Sequence, residues 1–294
     1  MIPGNVPPQC SLIRDDGMRD FRLASVCMRS VVGDVDANLG SILSYSRKAK
    51  ASGAGMVVFP EMSLTGYSMA DPPEGLSVRS PEVRKVVDAA DGIAVCFGFA
   101  DDEGFISQAV AEGGRIAGVY RKTHLGFREA EVMNAGRSLD VIRTSMANIG
   151  IQLCWESHFP DVTRTYAMRG ADIVLMPTAS GLPAGRREEV WRRILPARAY
   201  DNSVFVASCN AVGGNGRGVE FGGGAMVLDP SGRVIAESFS DREAMVLADI
   251  RAGALDEIRD GDGYRSMRGV YYLSKRRPEL YEKRFASGIR RRPV

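Results

Sequence analysis

The chain is 294 residues long, 45% apolar and 25% charged, with a formal net charge of +2. That length supports a sizeable core in one large domain or two small ones, and the near-neutral balance gives no electrostatic case for nucleic acid or a membrane surface as partner. No apolar stretch approaches the roughly 20 residues that cross a bilayer, and the N-terminus lacks a basic region followed by an apolar core, so no secretory signal is expected.

Residues 1–20, rich in Pro, Gly and charge, read as a loose arm, with a single domain over 21–294. Phe21 to Met28 alternates and then runs apolar, which predicts a first strand. Asp36 to Ala51 carries Leu39, Ile42, Leu43 and Ala49 at helical spacing, with Asp36 as the expected N-cap and Gly53 and Gly55 as terminators. Short apolar runs then recur at 56–59, 93–99, 116–120, 149–153, 173–176 and 204–209. Ala225–Leu228 and Arg233–Ala236 flank Asp229-Pro230-Ser231-Gly232, a turn sequence, and predict a hairpin. Ala244–Ile250 is the last expected strand. Helical patterns lie at 161–169, closed by Gly170, and at 186–199, where Val190, Trp191, Ile194 and Leu195 share a face. Many strands mixed with helices and a hairpin argue for a layered α/β sandwich. The basic tail from Arg290 reads as a solvated end.

The cysteines are Cys10, Cys27, Cys96, Cys154 and Cys209. They are odd in number and widely spaced, which argues against a disulfide framework or zinc site and for a reducing cytoplasm. His124 and His158 are the two histidines, too few for a multi-histidine metal centre.

Three expected strand ends carry reactive groups: Val57-Val58-Phe59-Pro60 leads to Glu61, Val119-Tyr120-Arg121 to Lys122, and Gln152-Leu153 to Cys154. In open α/β sheets ligands bind beyond such ends. Cys154 also precedes an expected helix start, which favours a thiolate. A thiol needs a base or a cationic neighbour near neutral pH. Glu61 can take its proton, and Lys122 with a backbone N–H can hold the oxyanion formed when sulfur attacks a carbonyl or nitrile carbon. Taken singly, each residue has a plainer reading: a capping carboxylate, a surface ammonium, a small buried hydrophobe. His158, four residues after Cys154, suggests a Cys–His dyad on one helical face, although a solvated or supporting role suits it better. His124 reads as a brace for the loop after Lys122. Gly213-Gly214-Asn215-Gly216-Arg217-Gly218 matches neither phosphate-loop pattern and reads as a flexible loop near a pocket rim. Trp155 and Phe159 are candidates for lining the pocket.

Phe59-Pro60-Glu61-Met62-Ser63-Leu64-Thr65-Gly66-Tyr67 resembles the first catalytic motif of the nitrilase (carbon–nitrogen hydrolase) superfamily. Tyr120-Arg121-Lys122-Thr123-His124-Leu125 resembles its lysine motif, and Cys154-Trp155-Glu156-Ser157-His158-Phe159-Pro160-Asp161 its cysteine motif, in the same order and at similar spacing. Trp191, Ala197-Arg198-Ala199, Asn202, Asn210, Phe221-Gly222-Gly223 and Arg276-Arg277-Pro278-Glu279-Leu280-Tyr281 extend the likeness over about residues 21–281. The resemblance implies a four-layer α-β-β-α sandwich that assembles as a homodimer or larger homo-oligomer, with the stretch from about residue 264 at an interface. It implies Glu61, Lys122 and Cys154 as catalytic residues and a second glutamate that positions lysine and substrate. Counting back from Gly136 makes that Glu129, with Glu131 the competitor. Tyr67, Trp155 and Phe159 are the substrate-binding candidates. No metal or organic cofactor is implied. The expected activity is hydrolysis of a small amide or N-carbamoyl compound with water through a Cys thioester. The alternatives are a nitrilase, a leaning that Cys154-Trp155-Glu156 supports, and a non-catalytic binding protein on the same fold.

Overall fold

A computed structural model describes residues 17–259 and 271–281. Residues 1–16 of the expected arm, Cys10, most of the expected interface stretch from residue 264 and the tail from Arg290 lie outside the described residues.

The strands are β1 (Phe21–Cys27), β2 (Ala54–Val58), β3 (Ala94–Ala100), β4 (Ile106–Glu112), β5 (Arg115–Arg121), β6 (Ile142–Arg143), β7 (Asn148–Ile151), β8 (Ile173–Thr178), β9 (Phe205–Asn210), β10 (Val212–Gly214), β11 (Glu220–Gly222), β12 (Ala225–Leu228), β13 (Val234–Ser238) and β14 (Ala244–Ile250). The helices are α1 (Val35–Ala51), α2 (Pro81–Ala89), α3 (Glu129–Val132), α4 (Pro160–Met168), α5 (Ala184–Asn202), α6 (Gly253–Arg259) and α7 (Pro278–Tyr281). One six-stranded sheet has the order β14-β1-β2-β3-β4-β5 and the other β13-β12-β9-β8-β7-β6.

The burial of both faces in the central strands β3, β8 and β9 explains why these read as apolar runs rather than as a polar–apolar alternation. Leu23, Met56, Val58, Ala94 and Cys96 of the first sheet meet Ile149, Ile151, Val174, Val206 and Met226 of the second in one core. The intervening residues Ala24, Val26, Val57, Val95 and Phe97 face the other way, onto Leu39 and Ile42 of α1 and Val83 and Val86 of α2. Trp191, Leu195 and Ala199 of α5 join the first core from the far side of the second sheet, giving the expected α-β-β-α layering. The Ser25 hydroxyl donates to the Ser208 carbonyl at 3.0 Å and crosses between the sheets.

Two local expectations change. The N-cap of α1 is Asp34, whose side chain accepts from the Ala37 N–H at 3.2 Å, and Asp36 sits inside the first turn, where its charge still complements the helix dipole. The glycine-rich stretch after Cys209 is a short antiparallel ribbon: Val212 pairs with Gly222, Gly213 with Phe221 and Gly214 with Glu220. Asn215 at its tip is buried, and its side chain donates to the Tyr67 carbonyl at 3.0 Å while its own carbonyl accepts from Val32 N–H at 2.9 Å. Those bonds tie the ribbon to the segment that carries Tyr67, which replaces the flexible loop with an anchored one. No described helix is long and apolar enough to cross a membrane.

Candidate active site

Lys122 follows the end of β5 directly and is wholly buried. Its backbone is gripped from both sides: Lys122 N–H donates to the Ile106 carbonyl at 2.9 Å, and its carbonyl accepts from Gly136 N–H at 2.7 Å. The chain at Gly136 runs so close that a Cβ would lie 2.1 Å from the Arg121 carbonyl oxygen, which explains the glycine. The ammonium donates at 2.7 Å to Glu61 Oε1 and at 2.7 Å to Glu129 Oε1. Burial works against its charge, but Glu61, the Cys154 sulfur and Glu129 outweigh that and hold its pKa above the ordinary lysine value. Glu131, by contrast, is exposed.

Glu61 sits in the loop after β2 and is 1% exposed. Its second oxygen accepts from Ala179 N–H at 3.1 Å, so the loop after β8 holds it in place. Burial pushes its pKa up to about 7; Lys122 opposes that rise and Glu129 adds to it. Glu129 is held in turn by the Tyr67 hydroxyl at 2.7 Å and by Gly126 N–H at 2.6 Å.

Cys154 begins a 3₁₀ turn, Cys154–His158, at the end of the β7 segment, with a backbone φ of +43°. That left-handed conformation costs a non-glycine residue on the order of 1–3 kcal/mol and recurs where a reactive side chain must be presented. The expected helix-start stabilisation of the thiolate is overridden. Burial, followed by the Glu61 charge, pushes the thiol up to about 12 against the opposing pull of Lys122 and Arg187. A single 3₁₀ turn brings too few aligned peptide dipoles to compete. The resting group is therefore a neutral thiol beside a carboxylate. The 3₁₀ geometry also removes the alternative dyad face: at three residues per turn, His158 lies against Trp155, ring centroids 5.3 Å apart and planes tilted by 51°, rather than over Cys154, in keeping with the supporting role favoured for it.

Glu156 is fully buried and joins the lysine loop to the cysteine loop. Its Oε1 accepts from the Tyr120 hydroxyl at 2.6 Å, Thr123 N–H at 2.9 Å, the Thr123 hydroxyl at 2.7 Å and His124 N–H at 3.0 Å. Its Oε2 accepts from Leu153 N–H at 2.8 Å, next to Cys154. Burial alone would raise its pKa, but bonds from His124, Tyr120 and Thr123 hold it below the ordinary value of 4.5. A depressed carboxylate contributes stability above its unfolded pKa and loses it as pH falls through the folded one. Glu156→Gln places an amide N–H where a donor already points, and is expected to cost about 3 kcal/mol at pH 7. In denaturant titrations that deficit should shrink below pH 4.5, where wild type loses the same charge; an undiminished deficit there would contradict the role given to ionised Glu156.

Of the three aromatic candidates, only Tyr67 touches the carboxylate–lysine set; its ring also meets Phe221 edge-on, at a centroid distance of 6.4 Å. Trp155 and Phe159 belong to an aromatic group beside it. Trp155 lies 5.9 Å from the exposed Phe127 and 6.1 Å from Phe159, and Phe159 is 4.5 Å from His124. Two residues of this neighbourhood escape sequence reasoning. Glu156 lies inside the cysteine motif but is legible there only as a neighbour of Cys154. Arg187 lies in the expected helix at 186–199 but off its apolar face, yet it is 5% exposed and close enough to Cys154 to pull its pKa down.

A buried lysine between two glutamates, with a strained cysteine alongside, suits acyl transfer through sulfur. The family model for carbon–nitrogen hydrolases matches residues 22–260, most of the chain. The protein belongs to that family. This carbon–nitrogen hydrolase is 31% identical to an (R)-stereoselective amidase of Pseudomonas sp. over 70% of this chain and 78% of that protein. It is 27% identical to the N-carbamoylputrescine amidase of Arabidopsis thaliana over 91% of this chain and 96% of that one. Among solved structures it resembles an amidase from Nesterenkonia sp. with a TM-score of 0.73 and 26% identity, covering 92% of this chain and 98% of that one. A mutant of the same Nesterenkonia amidase, 25% identical to this chain with a TM-score of 0.73 and coverages of 89% and 98%, shows acrylamide added at the active-site cysteine.

Proposed function

We propose that this hydrolase is an amidase or N-carbamoyl amide hydrolase, with Cys154 as nucleophile, Glu61 as proton carrier, Lys122 as oxyanion partner and Glu129 as the group that positions Lys122. The observation that carries this reading is the donor count at Lys122. An ammonium has three N–H donors, and two go to Glu61 and Glu129 at 2.7 Å each. The third remains to meet an oxyanion, and its direction is limited by the other two.

The neutral thiol gives its proton to the Glu61 carboxylate as sulfur attacks the carbonyl carbon. The oxyanion falls to Lys122 and to a backbone N–H; the first N–H groups of a helical turn have no acceptor within it, and that of Trp155 follows the nucleophile directly. Protonated Glu61 then passes its proton to the departing ammonia or amine, leaving a thioester on Cys154. Glu61, again a carboxylate, takes a proton from water as the water oxygen attacks the thioester carbon; the C–S bond then breaks, the acid leaves, and Glu61 returns its proton to the departing sulfur, re-forming the thiol. Tyr67 steadies Glu129. We further propose a reducing cytoplasmic setting, which keeps such a thiol active, and a homo-oligomeric assembly.

The test is ammonia release over a panel of amides, N-carbamoyl compounds and nitriles, with wild type and Cys154→Ala. The variant is expected to fall by at least about four orders of magnitude, and rapid quenching of wild type should give a mass adduct equal to the acyl group on Cys154. Undiminished turnover in the variant overturns the mechanism, and a panel hydrolysed only at the nitriles overturns the substrate class.

A further inference from the structure

Arg187 sits in the first turn of α5 and is buried to 5% exposure. Taking a guanidinium out of water is costly unless an anion compensates, and among the described residues no carboxylate forms a salt bridge with it. The carboxylates of the site are spent on Lys122. The partners of Arg187 are weaker: the Ser180 hydroxyl, which accepts from one terminal nitrogen, and the Trp191 ring, whose centroid is 5.6 Å from the guanidinium carbon. Its Nε has no hydrogen-bond partner.

The position of this unmatched cation is well defined. Ser180 is locked by Asn210, whose side-chain oxygen accepts from Ser180 N–H at 2.9 Å and whose amide donates to the Ser180 carbonyl at 3.1 Å. The preceding residue, Ala179, is the one that holds Glu61. Glu61 and the Arg187 guanidinium are therefore held by adjacent residues of one loop, whose Cα atoms lie about 3.8 Å apart. The Arg187 charge acts on both Cys154 and His158, which puts it on the nucleophile's side of that loop. A further positive group, Arg198, influences His158 as well, and its Nε donates to the Ser157 carbonyl at 3.0 Å. Arg187 is thus the arginine whose charge reaches the sulfur, and it has a free donor and no counter-charge.

We propose that Arg187 is the anchor for a carboxylate of the substrate, a few bonds from the scissile amide, so that the enzyme prefers ω-amides of short diacids over neutral amides of the same length. This deepens the amide-hydrolase reading and rests on it. A planar carboxylate can accept from Nε and a terminal nitrogen together, the paired geometry that a guanidinium offers and an ammonium does not. The other use of the same cation, direct stabilisation of the Cys154 thiolate, has a different signature and is an outcome of the test.

The experiment measures kcat/KM for three matched pairs: malonamate and propionamide, succinamate and butyramide, glutaramate and valeramide. Wild type should favour the acidic member of at least one pair by about a hundredfold, the value of a charge-assisted bidentate contact. In Arg187→Gln that ratio should collapse toward one, chiefly through KM, and Arg187→Lys should restore part of it. Calorimetric titration of Cys154→Ala with the preferred acid, and of the double variant Cys154→Ala/Arg187→Gln, reads the same contact without turnover; binding should be lost in the double variant. Equal loss of both members of a pair in Arg187→Gln, together with a raised pH midpoint for iodoacetamide alkylation of Cys154, assigns Arg187 to the thiolate and overturns the proposal. So does a wild type with no preference within any pair, which decides the matter even if Arg187→Gln does not fold. If wild type hydrolyses none of the six amides but the calorimetric difference holds, the amide-hydrolase reading fails and the carboxylate site stands.

Discussion

Lys122→Met is expected to cost about 3–5 kcal/mol of stability at pH 8 and to lower kcat/KM by about four orders of magnitude. Methionine fills much of the lysine volume, so the loss isolates the charge. Without the ammonium, Glu61 and Glu129 are two buried carboxylates in one cavity with no cation between them, and like charges in such a site cannot both stay ionised. The sign of the pH effect follows. Burial already raises Glu61, and without the ammonium the carboxylate pair holds a proton more tightly folded than unfolded, so the variant binds more protons in the folded state. Its stability is fullest at low pH and is lost as pH rises through the raised values. Denaturant melts at pH 6 and pH 8 should therefore show the variant recovering part of its deficit at pH 6, while wild type, with its carboxylates matched by Lys122, changes less. Equal deficits at the two pH values would mean that the loss is one of packing rather than charge. The activity loss has two sources: the oxyanion loses its ammonium, and the base loses the partner that orients it.

Glu61→Gln is expected to lower kcat/KM by roughly 10²- to 10⁴-fold, the usual range for removal of a positioned proton carrier. The glutamine keeps a carbonyl oxygen for Lys122 or Ala179 N–H, so the fold should survive. The diagnostic is the acid limb. Burial puts Glu61 at about 7, so wild-type kcat/KM should climb through pH 7 as the carboxylate forms, and this limb should vanish from the residual activity of the variant. Alkylation of Cys154 by iodoacetamide provides a second reading. In wild type the thiol sits near 12 and reacts by handing its proton to Glu61, so its rate should follow the same limb. A Glu61→Gln protein that kept the limb near pH 7 would assign it to another group.

Much of this site is legible before folding because its chemistry is concentrated at strand ends. Glu61, Lys122 and Cys154 each follow a short apolar run, the clearest strand signal in a layered sheet. What stays hidden depends on tertiary placement. Strand β4 carries Ser107 and Gln108, which break its apolar run, and they are tolerated only because Asp101 and the Phe59 carbonyl accept their hydrogen bonds. Helix α2 is nine residues long, too short for a strong period, although Ser80, whose hydroxyl accepts from Val83 N–H, and Pro81 mark its start. The position of the α1 cap differs by two residues because both Asp34 and Asp36 suit it, and only the geometry of Ala37 N–H decides. Arg187 is the sharpest case: an arginine beside Arg186 on a polar helix face gives no hint that it is folded inward.

The pairing of β1 with β14 sets a schedule for biosynthesis. Phe21 lies opposite Ile250, and Cys27 opposite Ala244. The sheet that carries Glu61 and Lys122 therefore lacks its outer strand until nearly the whole described chain has left the ribosome. At about 5–20 residues per second, the first strand waits on the order of 10–40 s for its partner. During that interval β1 has an open edge, a template for any extended segment nearby. Closure of so distant a contact is slow in its own right. The sheet that bears Glu61 and Lys122 is thus complete only near the end of translation, and the yield of active protein should depend on how well that first edge is shielded while the ribosome is still at work.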